Sequence, residues 1–143
     1  MPMNASPTPA FDRVFPNQLA DLGRVAEAAV NFLREHGLPQ PAIYAANLAI
    51  EELGTNLLKY GYDDPGPHEI RLRLEVHPAH VLMTLEDDGH EFNPTRAPAP
   101  DLTLGLEDRQ PGGLGLALVR QFADRFDYQR RAGRNCVSLR FNR

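Results

Sequence analysis

Between His68 and Asp87 the sequence reads HEIRLRLEVHPAHVLMTLED, two period-two runs with a tight break between them. Ile70, Leu72, Leu74 and Val76 alternate with charged residues; Pro78 and Ala79 mark a turn; Val81, Met83 and Leu85 then alternate again, with Leu82 the one apolar residue out of step. Such alternation gives strands with one apolar and one wet face. A break this short cannot hold a crossover helix, so the two strands are antiparallel neighbours. Their apolar face then needs a cover from elsewhere in the chain.

Helical patterns supply that cover. Asn17 is placed to cap a helix running to about His36, with Leu19, Leu22, Ala26, Ala29 and Leu33 on one stripe and Gly37 closing it. A second helix is predicted from Pro39–Ala42 to Tyr60, stopped by Gly61. GLGLALVRQFADRF, from Gly113, reads as a third. A short strand, DRVFP, precedes the first helix. The end, FDYQRRAGRNCVSLRF, reads as a hairpin turning at Ala132-Gly133, with Val137, Leu139 and Phe141 inward. Residues 93–112, rich in proline and without period, form a long loop. The expected architecture is α+β: a two-layer α/β sandwich, with a mostly antiparallel, mixed sheet and three helices on one face. Residues 1–10 are expected to be a flexible tail, and 11–143 a single domain.

A chain of 143 residues with a net charge of −4 and a pI near 5.7 gives no electrostatic reason to expect nucleic acid or a membrane as partner. No run of 18 apolar residues and no signal-peptide pattern occurs, which predicts a soluble, cytoplasmic protein. The lone Cys136 excludes an internal disulfide.

Three stretches carry polar groups that a packed fold does not ask for. In AIEELGTNLLKYGY, a helical turn of about 100° per residue puts Glu52, Asn56 and Lys59 on one narrow stripe. That stripe lies directly beside the apolar arc of Ile43, Ala46, Ala49, Ile50, Leu53, Leu57 and Tyr60. An i, i+4 hydrogen-bonded pair on a wet surface would explain it. So would a cleft, where a carboxylate takes a proton, an amide oxygen binds magnesium and a lysine offsets phosphate charge. In VLMTLEDDG, Asp87 continues the inward line of Val81, Met83 and Leu85. A turn explains Asp88 and Gly89. The parity of Asp87 instead demands donors, and a purine amine is a good one. PGGLGLALV opens a helix with glycines, which fits a loop end or a phosphate site.

In order and spacing, Glu52-x-x-x-Asn56, Asp87-x-Gly89 and Gly113-x-Gly115-Leu116 resemble the three boxes of the Bergerat-type ATPases, with residues 93–112 as the ATP lid. EELGTNLLKYGY, DDGHEFNP and GGLGLALV are most similar to the anti-sigma-factor serine kinase branch of that family. The resemblance covers about residues 11–141. It implies ATP or ADP with Mg²⁺, Glu52 as general base and Asn56 as the magnesium ligand. It implies Asp87 as the adenine-binding acid, with Gly89, Gly113, Leu114, Gly115 and Leu116 shaping the pocket and Lys59 near the phosphates. Glu91 stands where the family has its next glycine, and Pro111 where it has an arginine, with Arg109 as the substitute. The implied function is phosphorylation of a STAS-type antagonist on serine and binding of a sigma factor, by a homodimer. The rival reading is a nucleotide-gated binding module with little or no phosphotransfer. A histidine-kinase catalytic domain fits less well, because His36, His68, His77, His80 and His90 fall near element ends or in loops, the pattern of surface histidines. The arginines from Arg120 to Arg143 are expected to be a solvated face.

Overall fold

The computed structural model describes residues 7–96 and 113–143. In chain order the elements are β1 (Ala10–Pro16), α1 (Leu19–Glu35), α2 (Gln40–Tyr60), β2 (Glu69–Val76), β3 (His80–Asp87), α3 (Gly113–Phe122), β4 (Arg125–Arg131) and β5 (Arg134–Asn142). The strands form one sheet in the order β1-β2-β3-β5-β4, and every described pairing is antiparallel. The parallel pairing that a mixed sheet would need does not occur among the described residues.

Period-two alternation sets the layers. Ile70, Leu72, Leu74, Val81, Met83, Leu85, Val137, Leu139 and Phe141 point to one face and are buried, while their neighbours are half-buried or exposed. They share one core with Leu33, Ala46, Ile50, Leu116 and Val119 of the helices. Each fully buried Leu, Ile or Phe among them contributes about 1.5–3 kcal/mol. α1 and α2 approach closely at Gly54, where a Cβ would lie 2.6 Å from Leu22 Cδ1. Gly37 ends α1 at φ +73°, the left-handed position foreseen for it. The β4–β5 hairpin turns on Ala132 (φ 53°) and Gly133 (φ 76°), the two positive angles that a tight two-residue turn requires.

Helix ends depart from the pattern. Asn17 does not cap α1; Gln18 takes that position without a side-chain bond. The Asn17 side chain instead accepts from His68 N at 3.0 Å and donates to Gly66 O at 3.4 Å, tying β1 to the loop before β2. Leu19 is 69% exposed and Tyr60 is 52% exposed, because the first and last turns overhang the core that their stripes address. α3 stops at Phe122, short of the predicted ADRF turn. Asp124 N donates to Arg140 O, and Phe126 packs on the core from β4 instead.

Candidate functional site

α2 carries the first part of the site. Leu53, Gly54 and Leu57 are buried, Glu52 and Asn56 are half-buried, and Lys59 is exposed. Asn56 makes no pair with Glu52: its Nδ2 is buried and has no partner among the described residues. A buried amide left open is costly unless a ligand completes it. The Glu52 side chain lies against the first turn of α3. A Cβ on Gly115 would sit 2.8 Å from Glu52 Cγ and would collide with its carboxylate. Glycine at 115 is therefore what lets this helix start meet the acid. Leu116 is buried in the core and anchors α3, so only its backbone is available to the site. Arg109 and most of the 93–112 segment lie outside the described residues, as do the side chain of Leu114 and residues 1–6 of the tail.

Asp87 ends β3 on the inward row, 6% exposed, as its parity predicts. Its Oδ1 accepts from Gly89 N at 2.8 Å and from Asn135 Nδ2 at 2.9 Å. Burial pushes its pKa above the ordinary aspartate value, and the bonds from Asn135 and Gly89 pull against that rise. The loop after Asp87 docks on the end of α2. His90 N donates to Gly61 O at 2.9 Å, and a Cβ on Gly89 would collide with that same carbonyl oxygen. The site residues thus fall in sequence along α2. Glu52 meets α3, Asn56 lies one turn further, and Gly61 meets the Asp87 loop about 13 Å from Glu52 at 1.5 Å per residue. A ligand with an anionic end and a hydrogen-donating ring fits that order.

Asn135, 3% exposed, is a site residue that sequence reasoning missed. It pairs with Asp87 across β3 and β5 and shares the parity of Val137, Leu139 and Phe141. Extending that alternation one step back would have found it. Arg130 is exposed, as expected, but it is also engaged: its Nη1 donates to Gly89 O at 3.1 Å and to Asn135 Oδ1 at 2.9 Å. The histidines are also more engaged than expected. His68 is held between Asp64 (3.0 Å) and Asp88 (3.0 Å) and stacks on Tyr62 at 4.2 Å. Its pKa is raised, first by the Asp64 bond and then by Asp88 against desolvation. Burial raises the Tyr62 hydroxyl well above the usual phenol range, and the charges of Asp87 and Asp88 add to this. His90 Nδ1 reaches Asp63 Oδ1 at 3.0 Å, so two His–Asp contacts join the loops leaving α2 and β3.

A separate hollow of about 450 Å³, lined by Pro41, Ala45, Phe122 and Phe141 among others, contains none of these residues. Among the described residues no group of three or more His, Cys, Asp or Glu could hold a metal. Magnesium does not require such a cage, because it binds through one or two protein ligands together with substrate phosphates. The side-chain oxygen of Asn56 is the kind of ligand magnesium takes, while its buried, unpartnered Nδ2 is a donor that asks for an acceptor such as a phosphate oxygen. Among the described residues no helix is long and apolar enough to cross a membrane.

A two-layer sandwich with an acid–amide helix, a buried strand-end aspartate and a glycine-opened helix defines a nucleotide-site architecture. The chain belongs to the histidine kinase-like ATPase domain family, whose sequence model matches residues 15–141. It is 34% identical over 96 residues to the serine/threonine-protein kinase BtrW of Bordetella bronchiseptica, over 67% of this chain and 68% of that protein. The crystal structure of the RsbU and RsbW domains of Rv1364c from Mycobacterium tuberculosis has the same fold, with a TM-score of 0.63 at 18% identity. That match covers 96% of this chain and 34% of the other, so the chain spans about a third of its length.

Proposed function

We propose that this chain is an ATP-dependent serine/threonine protein kinase that regulates an anti-sigma pathway. It phosphorylates a STAS-type antagonist on serine, binds a sigma factor and works as a homodimer. The observation that carries the reading is the Glu52 carboxylate packed on Gly115 at the start of α3, one turn from the open Asn56 amide. The kinase name of the Bordetella relative supports the same chemistry.

In this reading Asp87 accepts the purine amine, and Gly89 keeps its loop close to α2. Backbone N–H groups of the first turn of α3, from Gly113 to Leu116, donate to phosphate oxygens, and the family resemblance adds Leu114 and Arg109 to the nucleotide-binding residues. Lys59 offsets phosphate charge. Magnesium, when bound, neutralises charge between the phosphates, and Asn56 is the residue that would hold it. Glu52 takes the proton from the incoming serine hydroxyl as its oxygen bonds to the γ-phosphorus and the bond to the ADP oxygen breaks.

The test is incubation with labelled ATP, Mg²⁺ and a STAS-fold antagonist. Wild type is expected to label the antagonist on serine, while Glu52→Ala binds the antagonist without labelling it. Nucleotide binding without transfer by the wild type would refute the kinase reading. It would support a nucleotide-gated binding module, the second reading, which Glu91 in place of the family's glycine favours.

A further inference from the structure

We infer that Asn135 is a specificity-determining positioning residue. It holds Asp87 so that one carboxylate oxygen meets the base as a pure acceptor, selecting a purine with a 6-amino group over one with a 6-oxo group. The inference deepens the nucleotide reading above and rests on it.

The orientation of the Asn135 amide follows from its neighbours. Arg130 carries donors only, so the Asn135 atom 2.9 Å from its Nη1 is the oxygen. The Tyr128 hydroxyl donates to the same oxygen at 2.6 Å. The nitrogen must then face the other way, where it meets two acceptors, Asp87 Oδ1 at 2.9 Å and His90 O at 2.9 Å. An amide so fixed offers Asp87 a proton and never a lone pair. With Gly89 N it places both donors on Oδ1, which leaves Oδ2 as the acceptor for a ligand.

Both donors favour the ionised carboxylate. Burial works against them, and so does the Asp88 charge next door, while Arg134 helps them. Without the Asn135 amide the carboxyl moves toward its neutral form, which donates as well as accepts. A 6-oxo group, itself an acceptor, is repelled by an ionised Oδ2 and tolerated by a protonated one. Discrimination between the two bases is thus set by Asn135, although it touches neither.

The experiment is calorimetric titration of the full chain with ADP and with inosine diphosphate, in Mg²⁺, for wild type, Asn135→Asp and Arg130→Met. A thermal melt of each checks folding. Wild type is expected to prefer ADP by roughly tenfold or more, the worth of a hydrogen bond to a charged group. Asn135→Asp replaces the donor with a second acceptor and is expected to bring the two affinities within about threefold of each other. Arg130→Met, at an exposed position on β4, releases the amide from one side and is expected to narrow the preference in the same direction. Folded variants that bind both nucleotides more weakly but keep the wild-type ratio would give Asn135 a scaffold role alone and overturn the inference. If Asn135→Asp does not fold, the Arg130→Met ratio decides. Equal affinities in the wild type overturn the inference only. No binding of either diphosphate by the wild type overturns the nucleotide reading and the inference with it.

Discussion

Gly115→Ala separates the stability of this fold from its chemistry. The added Cβ would lie 2.8 Å from Glu52 Cγ and nearer still to the carboxylate. Ordinary carbon contacts lie near 3.5–4.0 Å, so the acid must withdraw by an ångström or more. The obstacle is the end of a flexible side chain, and a rotamer shift there costs about 0.5–1.5 kcal/mol. Alanine returns up to about 0.5–1 kcal/mol as the better helix former. The net change in stability is therefore within about 1 kcal/mol, a melting shift of no more than about 5 °C. Activity is a different matter. Displacing a reacting group by about 1 Å lowers the rate about a hundredfold, or roughly 2.7 kcal/mol of barrier. The assay pairs a thermal melt with initial rates of labelled phosphate transfer to the antagonist. Gly115→Ala combined with Glu52→Ala should be no slower than Glu52→Ala alone, because both changes act through one carboxylate. A folded Gly115→Ala protein turning over at the wild-type rate would refute the reasoning.

Three further outcomes follow from the same geometry. Gly89→Ala puts a Cβ against the backbone oxygen of Gly61, which cannot rotate away, and threatens the His90 N to Gly61 O bond. It should destabilise by about 2–3 kcal/mol in chemical denaturation, whereas Gly23→Ala, with nothing within 4 Å, should be neutral or stabilising by up to about 1 kcal/mol. Asp87→Asn keeps an acceptor for Gly89 and Asn135 but turns a donor toward the base; it should melt no lower than wild type and lose roughly a hundredfold in ADP affinity by calorimetry. His68 has a folded pKa raised above 6.5 by Asp64 and Asp88. Its stabilising contribution is full below that value and fades as pH rises through the raised one, so denaturation midpoints should fall as the pH is raised above about 6.5 in wild type and fall less in His68→Gln.

What the sequence disclosed was whatever depends on period alone. Asp87 was legible because a strand alternates every two residues, so a single misplaced carboxylate stands out against Val81, Met83 and Leu85. The α2 stripe was legible for the same reason at helical period, and the open Asn56 amide favours the cleft over a surface pair. The misjudged residues sit where period gives out. Leu19 and Tyr60 lie in end turns with no core beneath them, and Phe126 keeps its apolar spacing while the backbone under it turns to strand. Asn135 and Arg130 depend on which strand lies beside β3, and no local pattern states that β5 does.

That placement has a consequence for how the molecule is made. β5 follows the other strands in the chain yet inserts between β3 and β4. A nascent polypeptide leaving the ribosome therefore carries β1, β2 and β3 with the β3 edge of the sheet still waiting for its partner. Asp87 stays without its amide neighbour until residue 135 emerges, so the acceptor this carboxylate presents is set only once β5 has been inserted.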